Sequence, residues 1–306
     1  MSPPPLVTVA IPAYNPRYFA EAFASARAQS YDALEILVSD DSPGTEIAAI
    51  VRAAGDARVR CVRNVPSLGF HGNFTQCWRL ARGEYLKFLN DDDCLRPDCV
   101  SLLVEAFRRH PGLALATSRR EVIDAGGAPR PNVGAAQLVS LATCLIEGCE
   151  LGNLVLMNML NLIGEPSTVL FRRADVEPEG GSLFRWSGVD FHCYADLALW
   201  LRLLARGSAY YHAAALSQYR VHPGQEQRRG EVAISCLRER IPLVRRARAA
   251  GFLSEPGQHR HVLARIAAIA EAWKAQLPEG SEIARVAASH LAEVARETAA
   301  VVAAGG

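Results

Sequence analysis

Three consecutive carboxylates, Asp91, Asp92 and Asp93, stand directly behind the apolar run of "YLKFLNDDDCLRPD". Adjacent carboxylates repel one another, so the triplet costs stability unless a cation or water compensates. It is either a solvated loop that caps the next helix or a site for a divalent cation. Hard oxygen donors, few in number and leaving open positions, suit Mg2+ or Mn2+ held jointly with a phosphate. A second acidic pair, Asp40 and Asp41, ends the apolar run of "LEILVSDDSPG". These oxygens could accept from an imide N–H of a base or from a ribose hydroxyl, or serve only as turn formers. No GxGxxG follows a strand and no GxxxxGK(S/T) occurs, so the common glycine-rich phosphate cradles are absent. A sugar nucleotide held through a metal fits these residues better.

The elements that must position the acids alternate. "LVTVAIPAY" is a buried strand ending at a turn, followed by helical spacing in "RYFAEAFASARAQ". Leu34–Val38 is a second strand, "TEIAAIVRAAG" a helix between Thr45 and Gly55, "VRCVRN" a third strand and "FHGNFTQCWRLARG" a helix. "YLKFLN" makes a fourth strand, a helix begins at Pro97, and "LALATSRREVID" is a fifth strand. Such alternation with short connections predicts a parallel sheet wrapped by helices, whose ligands gather at the carboxyl ends of the strands. Both acidic clusters fall there. The region from about 135 to 230 is less regular, with a strand in "STVLFRR" and a helix in "ADLALWLRLLARG". From Glu231 the chain reads as three helices, broken at "GFLSEPG" and "QLPEGS".

Bulk numbers narrow the class. Lys and Arg (33) nearly balance Asp and Glu (32) over 306 residues, so no global field points to nucleic acid. The eight cysteines show no CxxC spacing and read as reduced, mostly buried thiols of a cytoplasmic protein. "MSPPPLVTV" lacks the features of a signal peptide. The apolar run Leu151–Gly164 is shorter than the roughly 20 residues a membrane helix needs, so no integral membrane segment is expected. Met157 and Met159 within it read as core rather than as a lipid or acceptor groove.

In order, "VTVAIPAYNP", "LEILVSDDSP", "SLGFHGNF", "ARGEYLKFLNDDD" with "RPD", "ADLALWLRL" and "YRVHPG" resemble the motifs of family 2 glycosyltransferases, over roughly residues 6–225. The resemblance implies a GT-A fold: an α/β, Rossmann-like, mostly parallel sheet flanked by helices. Residues 1–230 would form the nucleotide-sugar-binding and catalytic domain, and 231–306 a C-terminal helical region. It implies an inverting, hexosyltransferase-type enzyme using a nucleotide-diphosphosugar, usually UDP-linked, with Mn2+ or Mg2+ as cofactor. The acceptor would be a saccharide or lipid-linked saccharide of polysaccharide biosynthesis.

Position by position, the resemblance places Pro12, Ala13 and Tyr14 along the nucleotide and Asp40 on its base, with Asp41 as the neighbouring structural acid. Gly69 and Asn73 sit where the family's loop approaches the nucleotide. Asp91, Asp92 and Asp93 match the DxD motif, contacting ribose and metal. The family often reads Asp-x-Asp-Asp and this chain begins with Asn90, so Asp91 and Asp93 are the expected metal ligands, joined by His222 of "YRVH". Anchoring on Leu199-Trp200-Leu201-Arg202 puts Asp196 at the catalytic base and Ala195 where Glu is common. Inversion needs one carboxylate to remove the acceptor's proton, although Asp196 could also be only a helix-dipole acid. Two rivals share these features: a sugar-1-phosphate nucleotidyltransferase, which needs a glycine-rich basic loop that "PAYNPRYF" lacks, and a catalytically silent nucleotide-sugar-binding protein, which needs no base.

In the tail, Ile234, Leu237, Ile241 and Val244 form one apolar stripe among Arg238, Arg240, Arg245, Arg246 and Arg248. The stripe is expected to pack on the core or on a second copy in a homodimer; the alternative is peripheral contact with anionic lipid.

Overall fold

A computed structural model describes residues 3–132, 138–225, 230–276 and 281–304. The first two apolar runs become β1 (Val7–Ala13) and β2 (Leu34–Asp40), buried along their whole length as central parallel strands are. Between them α1 (Pro16–Arg27) starts with Pro16 at its first position, and Asn15 Oδ1 accepts from Arg17 N at 3.0 Å. Then follow α2 (Glu46–Ala54), β3 (Val59–Arg63), α3 (Gly69–Leu80), β4 (Tyr85–Phe88), a short β5 (Cys94–Leu95), α4 (Cys99–Arg109) and β6 (Leu113–Ile123). The helix expected from Pro97 begins two residues later.

The second half comprises β7 (Pro129–Arg130), β8 (Cys144–Ile146), α5 (Gly148–Asn158), β9 (Leu170–Arg172), the hairpin β10 (Arg185–Trp186) and β11 (Val189–Asp190), α6 (Ala195–Leu204) and β12 (Ser208–Arg220). The main sheet runs β3-β2-β1-β4-β9-β6-β12-β5, with β7 on β6 and β8 on β12. β1, β2, β3, β4, β6 and β12 point one way; β9 lies antiparallel between β4 and β6. This is the expected α/β sheet, and the carboxyl ends of β1, β2 and β4 lie side by side.

Three helices close the chain: α7 (Gly230–Ala249), α8 (Pro256–Gln276) and α9 (Glu282–Ala304). The second expected break falls mostly at 277–280, outside the described residues. Leu237, Ile241 and Val244 of the α7 stripe are buried and Ile234 half-buried. Ile241 and Val244 share one apolar cluster with Leu151 and Val155 of α5, Trp200 of α6 and Val262 of α8. Two of the five arginines are engaged internally: Arg240 is buried, and Arg245 pairs with Glu293 and Glu297 of α9. The tail therefore packs on the sheet's helical layer. Met159 is buried in the same cluster and Met157 packs against it, as core side chains. No helix among the described residues is long and apolar enough to cross a membrane.

The cysteine expectation needs correction. Cys193 and Cys236 form a disulfide, with Cα atoms 5.0 Å apart. The two lie 43 residues apart, so local spacing carried no sign of the pair. Of the others only Cys77 and Cys99 are buried, while Cys61 and Cys149 are exposed.

Packing of the tail is testable at Gly152 on α5. A Cβ there would stand 2.2 Å from Phe252 Cε1, in the α7–α8 connection. Gly152→Ala should cost about 1–3 kcal/mol in urea denaturation; an unchanged midpoint would mean that the tail is not seated on α5.

Candidate active site

The turn after β4 sends its three carboxylates in three directions. Asp91 Oδ2 accepts from the backbone N–H groups of Tyr14 and Asn15, each at 2.7 Å, and so fixes the loop after β1. Asp92 Oδ2 lies 3.1 Å from His222 Nε2, just beyond β12. Asp93 is fully buried: its Oδ2 accepts from Ser167 Oγ at 2.6 Å and Asn90 Nδ2 at 3.1 Å, and its Oδ1 from Arg220 N at 3.0 Å. Asp93, expected as a metal ligand, thus has both oxygens already accepting from within the fold. Asp92 is more exposed than Asp93 and meets a buried His222. Burial raises all three carboxyl pKa values, and charge from Asp91 adds to the rise at Asp92.

Arg220 braces the turn from beneath. Its Nε donates to the Asp92 carbonyl at 2.8 Å, its Nη2 to Glu21 Oε2 at 2.6 Å, and its guanidinium covers the Tyr18 ring. Tyr18 also meets the His222 ring, with centroids 4.9 Å apart. Lys87, buried on β4, donates to Ser167 O at 2.8 Å and so links the strand to the Asp93 network.

The β2 acids are held as firmly. Asp40 has no exposed surface; Ser42 donates to its Oδ1 through N and Oγ, and Arg63 Nη1 to its Oδ2 at 3.1 Å. A nucleobase would reach Asp40 only after one of these contacts opens. Asp41 accepts from Asn64 Nδ2, Ser67 Oγ, Leu68 N and Gly69 N, and so shapes the loop into α3. Gly69 takes φ +68°, a conformation that side chains disfavour, to turn its N–H toward Asp41. Asn73 is buried and donates to Ala13 O at 3.3 Å, tying α3 to the end of β1. Pro12 and Ala13 are buried as well, and Tyr14 is exposed.

Asp196 occupies the first turn of α6, half-buried. Its Oδ2 accepts from Asn161 Nδ2 at 2.8 Å and its Oδ1 from Leu197 N at 2.7 Å. Asn161 is itself bonded to Gly164 O and N, and Trp200 Nε1 donates to Gly164 O at 3.0 Å. Burial, then the charge of Glu165, pushes the Asp196 carboxyl up to about 7. Glu165 pairs with buried Arg120 at 2.7 Å, and its charge also raises Asp92 and Asp93. It thus couples the acidic turn to the α6 carboxylate. Asn161, Glu165, Ser167 and Arg220 went unread in the sequence; "GEPST" carries a Gly-x-Pro turn signal, but nothing local names its targets. Among the described residues no three His, Cys, Asp or Glu side chains cluster as a ready metal cage.

Residues 8–145 match the model of glycosyl transferase family 2. That part of the chain carries the sequence pattern of the family. It is 32% identical over 220 residues to the uncharacterized protein MT1568 of Mycobacterium tuberculosis, covering 70% of this chain and 66% of that one. It is 33% identical over 126 residues to the chondroitin synthase of Escherichia coli, covering 40% of this chain and 18% of the synthase. Against the Escherichia coli UDP-Glc:alpha-D-GlcNAc-diphosphoundecaprenol beta-1,3-glucosyltransferase WfaP it is 34% identical over 89 residues, 29% of this chain and 36% of WfaP. The chain thus spans about two thirds of one relative and far less of the others. Its fold resembles residues 1–349 of S. aureus TarS, solved in complex with UDP-GlcNAc, with a TM-score of 0.56 at 11% identity, covering 98% of this chain and 92% of that one.

The division of labour within the triplet predicts opposite stability effects. Asp93→Asn leaves buried donors poorly matched and should cost about 1–3 kcal/mol in chemical denaturation. Asp92→Asn removes a charge that Asp91 and burial already disfavour, so without ligand it should lie within about 0.5 kcal/mol of wild type or above it. Equal losses at both positions would contradict the assignment.

Proposed function

We propose that this chain is an inverting glycosyltransferase moving a sugar from a UDP-linked diphosphosugar to a hydroxyl of a saccharide or lipid-linked saccharide, with Asp196 as general base. The observation carrying the reading is a half-buried carboxylate, oriented by Asn161 and raised to about 7, within a family 2 chain whose acidic turn lies at the β4 end. A base with a pKa near the working pH combines ionisation with driving force for proton removal. In the step, an Asp196 oxygen takes the acceptor hydroxyl's proton while that oxygen attacks the anomeric carbon. The bond to the diphosphate breaks on the opposite face, and configuration inverts.

A divalent cation, Mn2+ or Mg2+, fits Asp92 and His222, whose donor atoms converge at 3.1 Å. Two protein donors completed by diphosphate oxygens are a usual set for such an ion. Asp91 would join only by releasing the loop at Tyr14 and Asn15, and Asp93 does not fit. When bound, the ion would neutralise charge on the leaving diphosphate. WfaP is named for a diphosphoundecaprenol-linked acceptor, and an acceptor of that class would bring this chain to a membrane surface from the cytoplasmic side.

Three measurements test the reading. Calorimetry with UDP-glucose, UDP-galactose, UDP-GlcNAc and UDP-glucuronate should find a donor whose affinity falls with EDTA and with Asp92→Asn or His222→Asn. Asp196→Asn should keep donor affinity but lower turnover by about 10²- to 10⁴-fold. The base must be ionised to act, so the wild-type kcat should rise as pH passes through about 7 and level off above it. Retention of most turnover by Asp196→Asn would remove this residue from the role.

A further inference from the structure

Directly ahead of α6, three successive backbone N–H groups converge on one carboxylate from the tail. His192 N donates to Glu239 Oε1 at 2.9 Å, and Cys193 N and Tyr194 N donate to Oε2 at 3.0 and 3.1 Å. A helix start leaves its first N–H groups without intrahelical partners, and a local side chain usually meets them. Tyr194, at the cap position of α6, makes no side-chain cap bond. Glu239 caps the approach to α6 from another helix, and it is 8% exposed.

The neighbouring residues of α7 grip the same loop. Cys236 is joined to Cys193, and Arg240 Nε donates to Tyr194 Oη at 2.9 Å while its guanidinium covers Trp273 of α8. Positions 236, 239 and 240 share one helix face, spaced three and four residues apart. On the loop's far side His192 Nδ1 meets His71 Nε2 of α3 at 3.1 Å, and α3 also carries Asn73, bonded to the end of β1. The loop feeding α6 is thus clamped between the tail and the helix that follows the nucleotide-side loop. Asp196 lies two residues beyond the last N–H held by Glu239.

We infer that Glu239 is a positioning residue for transfer: by holding the 192–194 amides it sets the direction in which α6 presents Asp196. The inference rests on reading Asp196 as the base. A carboxylate is required because both oxygens face donors; an amide would turn an N–H toward one of them. Displacement of a catalytic group by about 1 Å can cost about 100-fold in rate. The donor-side contacts at β1, β2 and β4 do not involve Glu239.

The test uses the full chain and the UDP-sugar it hydrolyses fastest among the four donors above, with water as acceptor and UDP release as readout. Glu239→Gln should lower kcat about 10- to 100-fold while donor KM stays within about twofold. Added to Asp196→Asn it should cost nothing further, because its effect runs through the base. Wild-type kcat in Glu239→Gln, or the same loss in both backgrounds, would overturn the inference. Undiminished hydrolysis by Asp196→Asn would instead sink the base assignment itself. Should Glu239→Gln fail to fold, Glu239→Asp, which keeps the charge but reaches less far, should show the same kcat loss with KM kept. Hydrogen exchange at amides 192–194 should quicken in either folded variant, and unchanged protection would count against the clamp.

Discussion

Three consecutive carboxyl groups are tolerated here because each is pulled toward a different part of the chain. Asp91 holds the loop beyond β1, Asp92 meets His222 beyond β12, and Asp93 is absorbed by Ser167, Asn90 and Arg220. The turn thereby joins both halves of the sheet at its carboxyl edge. Arg220 compensates part of the buried negative charge, bonded at once to the Asp92 carbonyl, the Asp93 carboxylate through its own N–H, and Glu21. Burial is costly for an unpaired charge but tolerable for one fully hydrogen-bonded, which separates Asp93 from its neighbours.

The same logic runs to α6. Glu165 is neutralised by Arg120 yet still lifts the carboxyls on both sides of it. Asn161 can orient Asp196 because Gly164 fixes Asn161, and the Trp200 indole fixes Gly164 in turn. From the other end, Glu239 and Arg240 bring the tail helices into the arrangement. The carboxyl edge of the sheet and the peripheral bundle are thus tied together through α6.

The alternating half of the fold was legible because buried parallel strands and amphipathic helices have different periods, and Val7–Ala13 or Leu34–Asp40 leave little ambiguity. The acidic clusters were legible as clusters, and their strand-end location followed from the alternation. The direction of each carboxylate was not. Successive turn residues diverge, and the partners that decide the outcome, Ser167 and His222, lie 74 and 130 residues away in sequence. Asp93, expected on a metal, therefore carries partners that no local pattern announces. Likewise nothing local announces that Asp40, expected on the base, is enclosed by Ser42 and Arg63. Between 135 and 230 the strands are two or three residues long until β12, too short for any period to register, and neither the Cys193–Cys236 pair nor the Glu239 clamp has a local signature.

The reversed strand β9 has an evolutionary corollary. A parallel strand must be reached by a right-handed crossover of some length, which restricts what can precede it. β9 runs against β4 and β6, so the segment arriving at it is free of that rule. Its entry turn also lies where β4 ends, which is how Glu165 and Ser167 come to the acidic edge. That freedom lies in the connections of the stretch between β6 and β9, since α5 within it is held in the apolar cluster and Asn161 on Asp196. The family match ends at residue 145, within that stretch. Sequence change would accumulate in the connections around these anchors, while β1–β4 and the acidic edge they share stay fixed.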